Sequence, residues 1–163
     1  MEYGEAVRVL RGIPLFATLD PAKLKLLAFA SDYQTVEDGE ALFQAGDPAD
    51  SVYLIDQGEA EVVVTQDDHE IRVAVLTRHE MFGEMAIFRA SPRTATVRAK
   101  GRLGVLRIDG KMFLQMVTEN PATALGVMRA LSDKLMRAME SYEEMEARVR
   151  MLQALEEPSP DRP

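Results

Sequence analysis

Hydrophobic and polar positions follow three different rhythms along the chain. Over residues 1–31 apolar residues recur at helical spacing. Leu10, Ile13 and Leu15 lie close to Pro14, whose ring and missing N–H end the first helix. Asp20 before Pro21 forms a cap and first-turn pair, and LKLLAFA then supplies the apolar face of a second helix. Between residues 32 and 109 the helical period disappears. Short β-type runs (YQTV, ALFQ, SVYLID, AEVVV, IRVAVL, TATVRA, LGVLRID) are separated by turn segments such as EDGE, AGDPAD, QGE and QDDHE. Gly39, Gly46 and Gly58 sit in those reversals. Short strands with regular punctuation predict a mainly β, antiparallel sandwich or barrel with helices on either side.

Residues 110–155 return to helix. DGKMFLQMVTENP reads as one short helix ended before Pro121. Beyond it, apolar or small residues recur at Ala124, Met128, Leu131, Leu135, Ala138, Tyr142, Met145, Val149 and Leu152. After the first step the spacing alternates three and four, a heptad seam over about four repeats. A helix this long, ~45 Å at 1.5 Å per residue, overhangs a small barrel. The expected partner is a second copy of the chain, giving a homodimer; a long helix packed on its own domain is the alternative. The expected organisation is a single domain over residues 1–155, with a polar, Pro-rich, disordered tail at 156–163.

Charge and composition narrow the function. The 163 residues carry a net charge of -8, which argues against direct DNA binding, since phosphate backbones call for a clustered basic surface. One well-placed Arg can still hold a small anion. There is no cysteine, so disulfides and thiolate metal sites are excluded, and His69 and His79 read as surface residues at strand ends. No apolar run approaches a membrane span, and the start lacks the basic-then-apolar pattern of a secretion signal, so the expected location is the cytoplasm.

The informative chemistry lies in FGEMAIFRASPRTATV, residues 82–97. Gly83 allows close backbone approach to a ligand. Residues 85–88 can form one helical turn, whose free N–H groups suit a phosphate. Arg93 offers a planar fork for two phosphate oxygens, and Thr94 adds a hydroxyl. Pro92 fixes the chain direction just before that Arg. Glu84 is a carboxylate beside this anion site, sensible only if the ligand also presents a hydroxyl. A ribose fused to a phosphate ring presents both.

The segment resembles the phosphate-binding cassette of the cyclic nucleotide-binding domain family, which includes bacterial catabolite-activator regulators, kinase regulatory subunits and cyclic-nucleotide-gated channels. The family pattern is F-G-E, an aliphatic residue, A, a spacer, then P-R-x-A-[ST]-V, and Ala95, Thr96 and Val97 complete it here. The likeness extends over roughly residues 8–140. It implies an antiparallel β jelly-roll barrel with N-terminal helices and a long C-terminal helix. It implies Glu84 on the ribose 2′-hydroxyl, Arg93 and Thr94 on the phosphate, backbone N–H groups of Gly83, Met85 and Ala86 on the same phosphate, and Ala95 beside them. Val62, Val64 and Val73 are candidates for the wall facing the base, with plain core packing as the other reading.

The sequence departs from the family in two respects. Where the bacterial regulators place hydroxyl side chains against the base, this chain has Met136, Arg137, Ala138 and Met139. Arg137 can cap the base or stand as an ordinary exposed Arg. This departure leaves cAMP against cGMP open, and Thr94 is compatible with either; cAMP is the expected ligand ahead of cGMP. About eight residues follow Leu155, so the expectation is a stand-alone, non-enzymatic sensor without a helix-turn-helix, a cofactor or a metal, signalling to a separate protein partner. The rival expectations are a dimeric scaffold whose cassette is a relic, with Glu84 and Arg93 merely paired, and a cyclic dinucleotide sensor, which needs a wider anion surface. A metal enzyme on the same barrel needs a His and carboxylate cluster that two scattered histidines do not supply.

Overall fold

A computed structural model describes residues 2–156, the last seven residues of the expected tail lying outside it. Helix α1 (Glu2–Arg11) stops three residues before Pro14, which instead opens a single 3₁₀ turn at Pro14–Phe16. Helix α2 (Pro21–Phe29) starts where its cap predicts: the Asp20 carboxylate accepts from the Lys23 amide at 3.0 Å, with Pro21 in the first turn. Six strands follow: β1 (Ser31–Val36), β2 (Ala41–Phe43), β3 (Ser51–Gln66), β4 (His69–Leu76), β5 (Met81–Phe82) and β6 (Thr96–Asp109). Helix α3 (Glu84–Arg89) interrupts them between β5 and β6. Helices α4 (Gly110–Glu119) and α5 (Pro121–Glu156) complete the order. Glu156, assigned to the tail by the sequence, is still helical.

The strands form one antiparallel jelly-roll sheet in the order β1-β6-β3-β4, with β2 also on β6 and β5 also on β3. Two strands run longer than their sequence punctuation predicts. QGE and KGR do not end strands; β3 and β6 pass through both. The register shifts between Ile55 and Gln57, and again between Gln57 and Glu59, absorb the irregularity. Gly58 therefore works inside a strand as a bend, at φ +86, with no room for a side chain against the Arg102 carbonyl. Gly39 and Gly46, at φ +82 and +91, do sit in turns. His69 opens β4, whereas His79 lies in the turn before β5; both are exposed.

The core is the inner face of this sheet. Tyr53, Ile55, Phe82, Val97, Leu103 and Val105 are among its buried members. One buried charge stands beside it. Asp56 is 2% exposed and accepts from Tyr33 Oη at 2.7 Å and from both Arg8 Nη atoms at 3.1 and 3.4 Å. Gly104, opposite, leaves the space that the Tyr33 hydroxyl fills. Burial alone raises the pKa of Asp56, but the hydrogen bonds from Arg8 and Tyr33 and the charges of Arg8 and Arg78 outweigh it and hold the carboxyl below its ordinary value. The same desolvation, with Asp56 as partner, pushes Tyr33 up to about 12. This network ties α1 to the barrel.

The chain divides into two compact units, Met1–Gly126 and Val127–Pro163. The first holds the helices and strands up to the opening turns of α5. The second is the remainder of α5, on which Met128, Leu135, Ala138, Tyr142, Met145, Val149 and Leu152 are exposed and Leu131 is half-buried.

Two outcomes follow from these constraints. Gly58→Ala forces a left-handed backbone onto a residue with a Cβ and drives it into the Arg102 carbonyl, costing about 1–3 kcal/mol in chemical denaturation. Because the native pKa of Asp56 is depressed, its stabilisation is present above the unfolded carboxylate value of ~4 and is lost as pH falls through the native one. Asp56→Asn accordingly flattens the acid limb of the stability–pH curve.

Candidate functional site

The segment 82–97 is folded around one side chain. Arg93 is 4% exposed although it is a cation. Its Nη1 donates to the Gly83 carbonyl at 2.7 Å, and Nη2 donates to the Ser51 carbonyl at 2.7 Å and to Ser51 Oγ at 3.4 Å. Its Cζ stands 4.0 Å from the centre of the Phe43 ring. Among the described residues it forms no ion pair, and its buried Nε has no hydrogen-bond partner. Burial pushes the guanidinium below its ordinary pKa, against the opposing influence of Tyr53, Asp50 and Asp47. A cation held dry by neutral carbonyls is an anion site in electrostatic terms.

The backbone explains how it is held there. Gly83 caps α3 in the left-handed region at φ +83. A Cβ at that position would lie 2.8 Å from Arg93 Nη1, so the guanidinium occupies the space a side chain would take. The Arg93 amide donates to the Asp47 carbonyl at 2.9 Å, and the Arg93 carbonyl accepts from the Gly46 amide at 2.8 Å. The loop between β2 and β3 thus grips the cassette on both sides of Arg93. Thr96 Oγ1 adds a third tie by accepting from the Ala45 amide at 3.1 Å.

The other candidates fall into groups. Glu84 begins α3 and is 1% exposed, next to Gly83. Met85 is exposed and Ala86 buried in the same first turn. Thr94 is exposed and Ala95 half-buried just beyond Arg93. Val62 and Val64 are half-buried neighbours on β3, paired with Ala74 and Ile71 of β4. The register slips at Val62/Val63, and Val73 takes up the slack as an exposed residue. Arg137 lies on the second unit, exposed, its Nε donating to the Asp133 carbonyl at 3.5 Å.

Ser51 and Phe43 were invisible to motif reasoning because neither belongs to the segment that carries the pattern. The available signal was an aromatic in a short strand preceding the loop that carries Gly46. Ser51 also opens a route away from the site: its Oγ donates to Asp50 at 2.9 Å, and Asp50 meets Arg107 at 3.1 Å. The Asp50 carbonyl accepts from the Gly110 amide at 2.8 Å, where α4 begins. Gly110 has no space for a Cβ beside that carbonyl and Ile87 of α3. An open depression of about 560 Å³ runs along this junction, between Pro48, Ile87, Pro92 and Leu114.

Comparison with known proteins gives a consistent pattern. The family model described as "Cyclic nucleotide-binding domain" matches residues 33–120. A cAMP-dependent protein kinase regulatory subunit from Blastocladiella emersonii is 31% identical over 66% of the chain, which spans 27% of that relative. Among solved structures, the sensor domain of the transcriptional regulator DNR from Pseudomonas aeruginosa superposes with a TM-score of 0.69 at 27% identity, over 79% of this chain and 92% of that one. The regulatory domain of Toxoplasma gondii PKA with cAMP gives 0.62 at 26% identity, over 69% of this chain and 43% of that one.

Proposed function

The chain belongs to the cyclic nucleotide-binding domain family, and from that premise we propose that it is a non-catalytic sensor of a cyclic mononucleotide, cAMP in preference to cGMP. The observation that carries this reading is the buried Arg93, which among the described residues has no ion pair and is held by the carbonyl oxygens of Gly83 and Ser51, Ser51 Oγ and the Phe43 ring. A cation so placed gains most from a small anion that brings its own charge and oxygens. The cyclic phosphate meets Arg93, Thr94 and the amides of Gly83, Met85 and Ala86. The ribose 2′-hydroxyl donates to Glu84. The base lies along Val62, Val64 and Val73.

Signalling in this reading is a population shift. The ligand favours the arrangement of cassette and C-terminal helix to which it binds better, and a separate protein reads the difference. The exposed stripe on α5, with Met128, Leu135, Tyr142, Met145, Val149 and Leu152 at heptad spacing, supports pairing with a second copy. The same stripe is the observation that favours the second reading, a dimeric interaction module with a silent cassette. The two differ in nucleotide affinity. No described helix is long and apolar enough to cross a membrane, and the chain is proposed to work in the cytoplasm without contacting DNA.

Arg93→Ala reduces cAMP affinity by roughly 10–150-fold in calorimetry, the equivalent of ~1.5–3 kcal/mol for a charge-assisted contact. Unchanged affinity removes Arg93 from the site. Leu135→Asp puts a charge in the centre of the seam and converts a dimer to a monomer in light scattering, while a dimer that persists rules the seam out as the interface.

A further inference from the structure

We propose that Phe43 is a positioning residue of the anion site, acting through Arg93 by cation–π contact. The proposal rests on the reading of the cassette as a cyclic nucleotide site and adds a residue that no part of the cassette pattern contains.

The placement of Phe43 is irregular in a way that serves the contact. Strand alternation sends Leu42 and Phe43 to opposite faces. The β2–β6 register slips between Ala41 and Phe43, and both Leu42 and Phe43 pack against the barrel core. The bulge is what turns the Phe43 ring inward. There the ring is buttressed by Tyr53, at 5.8 Å between centroids, and by Phe82, at 6.1 Å; those two rings stack on each other at 5.1 Å. Its free face meets the guanidinium 4.0 Å away. Gly83 closes the arrangement from the other side: a Cβ there would lie 2.8 Å from Nη1 and 3.5 Å from Phe43 Cε1.

The contact has a mechanical consequence. The Gly83 and Ser51 carbonyls and Ser51 Oγ hold the guanidinium by its two Nη atoms, along its edge. The aromatic face bears on the plane of the group, a direction these edge contacts do not support. It also supplies negative electrostatic potential to a buried cation that has no ion pair among the described residues. An aliphatic residue of similar volume fills the space but supplies no such potential.

The test replaces Phe43 with mono-, di- and trifluorophenylalanine, which drain the ring face of negative potential while nearly preserving its shape. Each protein is titrated with cAMP and melted thermally, alongside Phe43→Tyr and Phe43→Leu. The expected result is a stepwise loss of affinity with each fluorine, reaching roughly tenfold, at little change in melting temperature. Phe43→Tyr retains affinity and Phe43→Leu loses it to a similar extent as the trifluoro protein. Affinity independent of fluorine content, with unmodified protein binding cAMP, assigns Phe43 to packing and overturns the proposal alone. Unmodified protein that takes up no cyclic nucleotide overturns the site reading, and the role of Phe43 with it.

Discussion

A guanidinium taken out of water organises this barrel. Arg93 is nearly inaccessible, pairs with no carboxylate among the described residues, and is held by two backbone carbonyls that come from different parts of the chain: Gly83 beside α3 and Ser51 at the start of β3. Desolvating a cation costs several kcal/mol before any compensation. Carbonyl dipoles and one aromatic face return part of that cost. The remainder is a standing preference for an anion, and the surrounding backbone is shaped to keep it. Gly83 has no side chain because the guanidinium is there, and the loop between β2 and β3 bonds both the amide and the carbonyl of Arg93.

The same elements place the site next to the start of the C-terminal helices. Ser51 carries one of the Arg93 contacts, and the adjacent Asp50 carbonyl accepts the first amide of α4. A Cβ at Gly110 would meet Ile87 of α3 at 2.8 Å, so the glycine lets α4 start close against α3. The residue that holds Arg93 and the residue that holds the α4 origin are thus neighbours on the chain. Asp56 has a different part. It ties α1 to the barrel through Arg8 and Tyr33, farther along the same strand β3 that begins with Ser51.

Much of the fold was legible because it rests on local rules. Asp20–Pro21 marked the start of α2, Pro121 the end of α4, and glycine spacing the reversals at 39 and 46. What sequence reasoning misjudged was strand continuity. Gly58 read as a turn, but it sits at positive φ inside a long strand, where register shifts accommodate it. A positive-φ glycine looks the same in sequence whether the chain reverses or bends. The cassette was legible as a pattern because its residues are contiguous. The partners of Arg93 were not, since Ser51 is 42 residues away and Phe43 50, and the pairing of both β2 and β3 with β6 brings them together.

Calorimetric titration of ligand-free protein with cAMP, and then with cGMP, tests the site most directly. A buried Arg93 with no ion pair among the described residues predicts binding of a cyclic nucleotide at micromolar Kd or tighter, and the ratio of the two affinities reads the base preference. A folded protein with an empty cassette that gives no heat with either nucleotide at several temperatures contradicts it, and leaves the exposed seam of α5 as the functional surface.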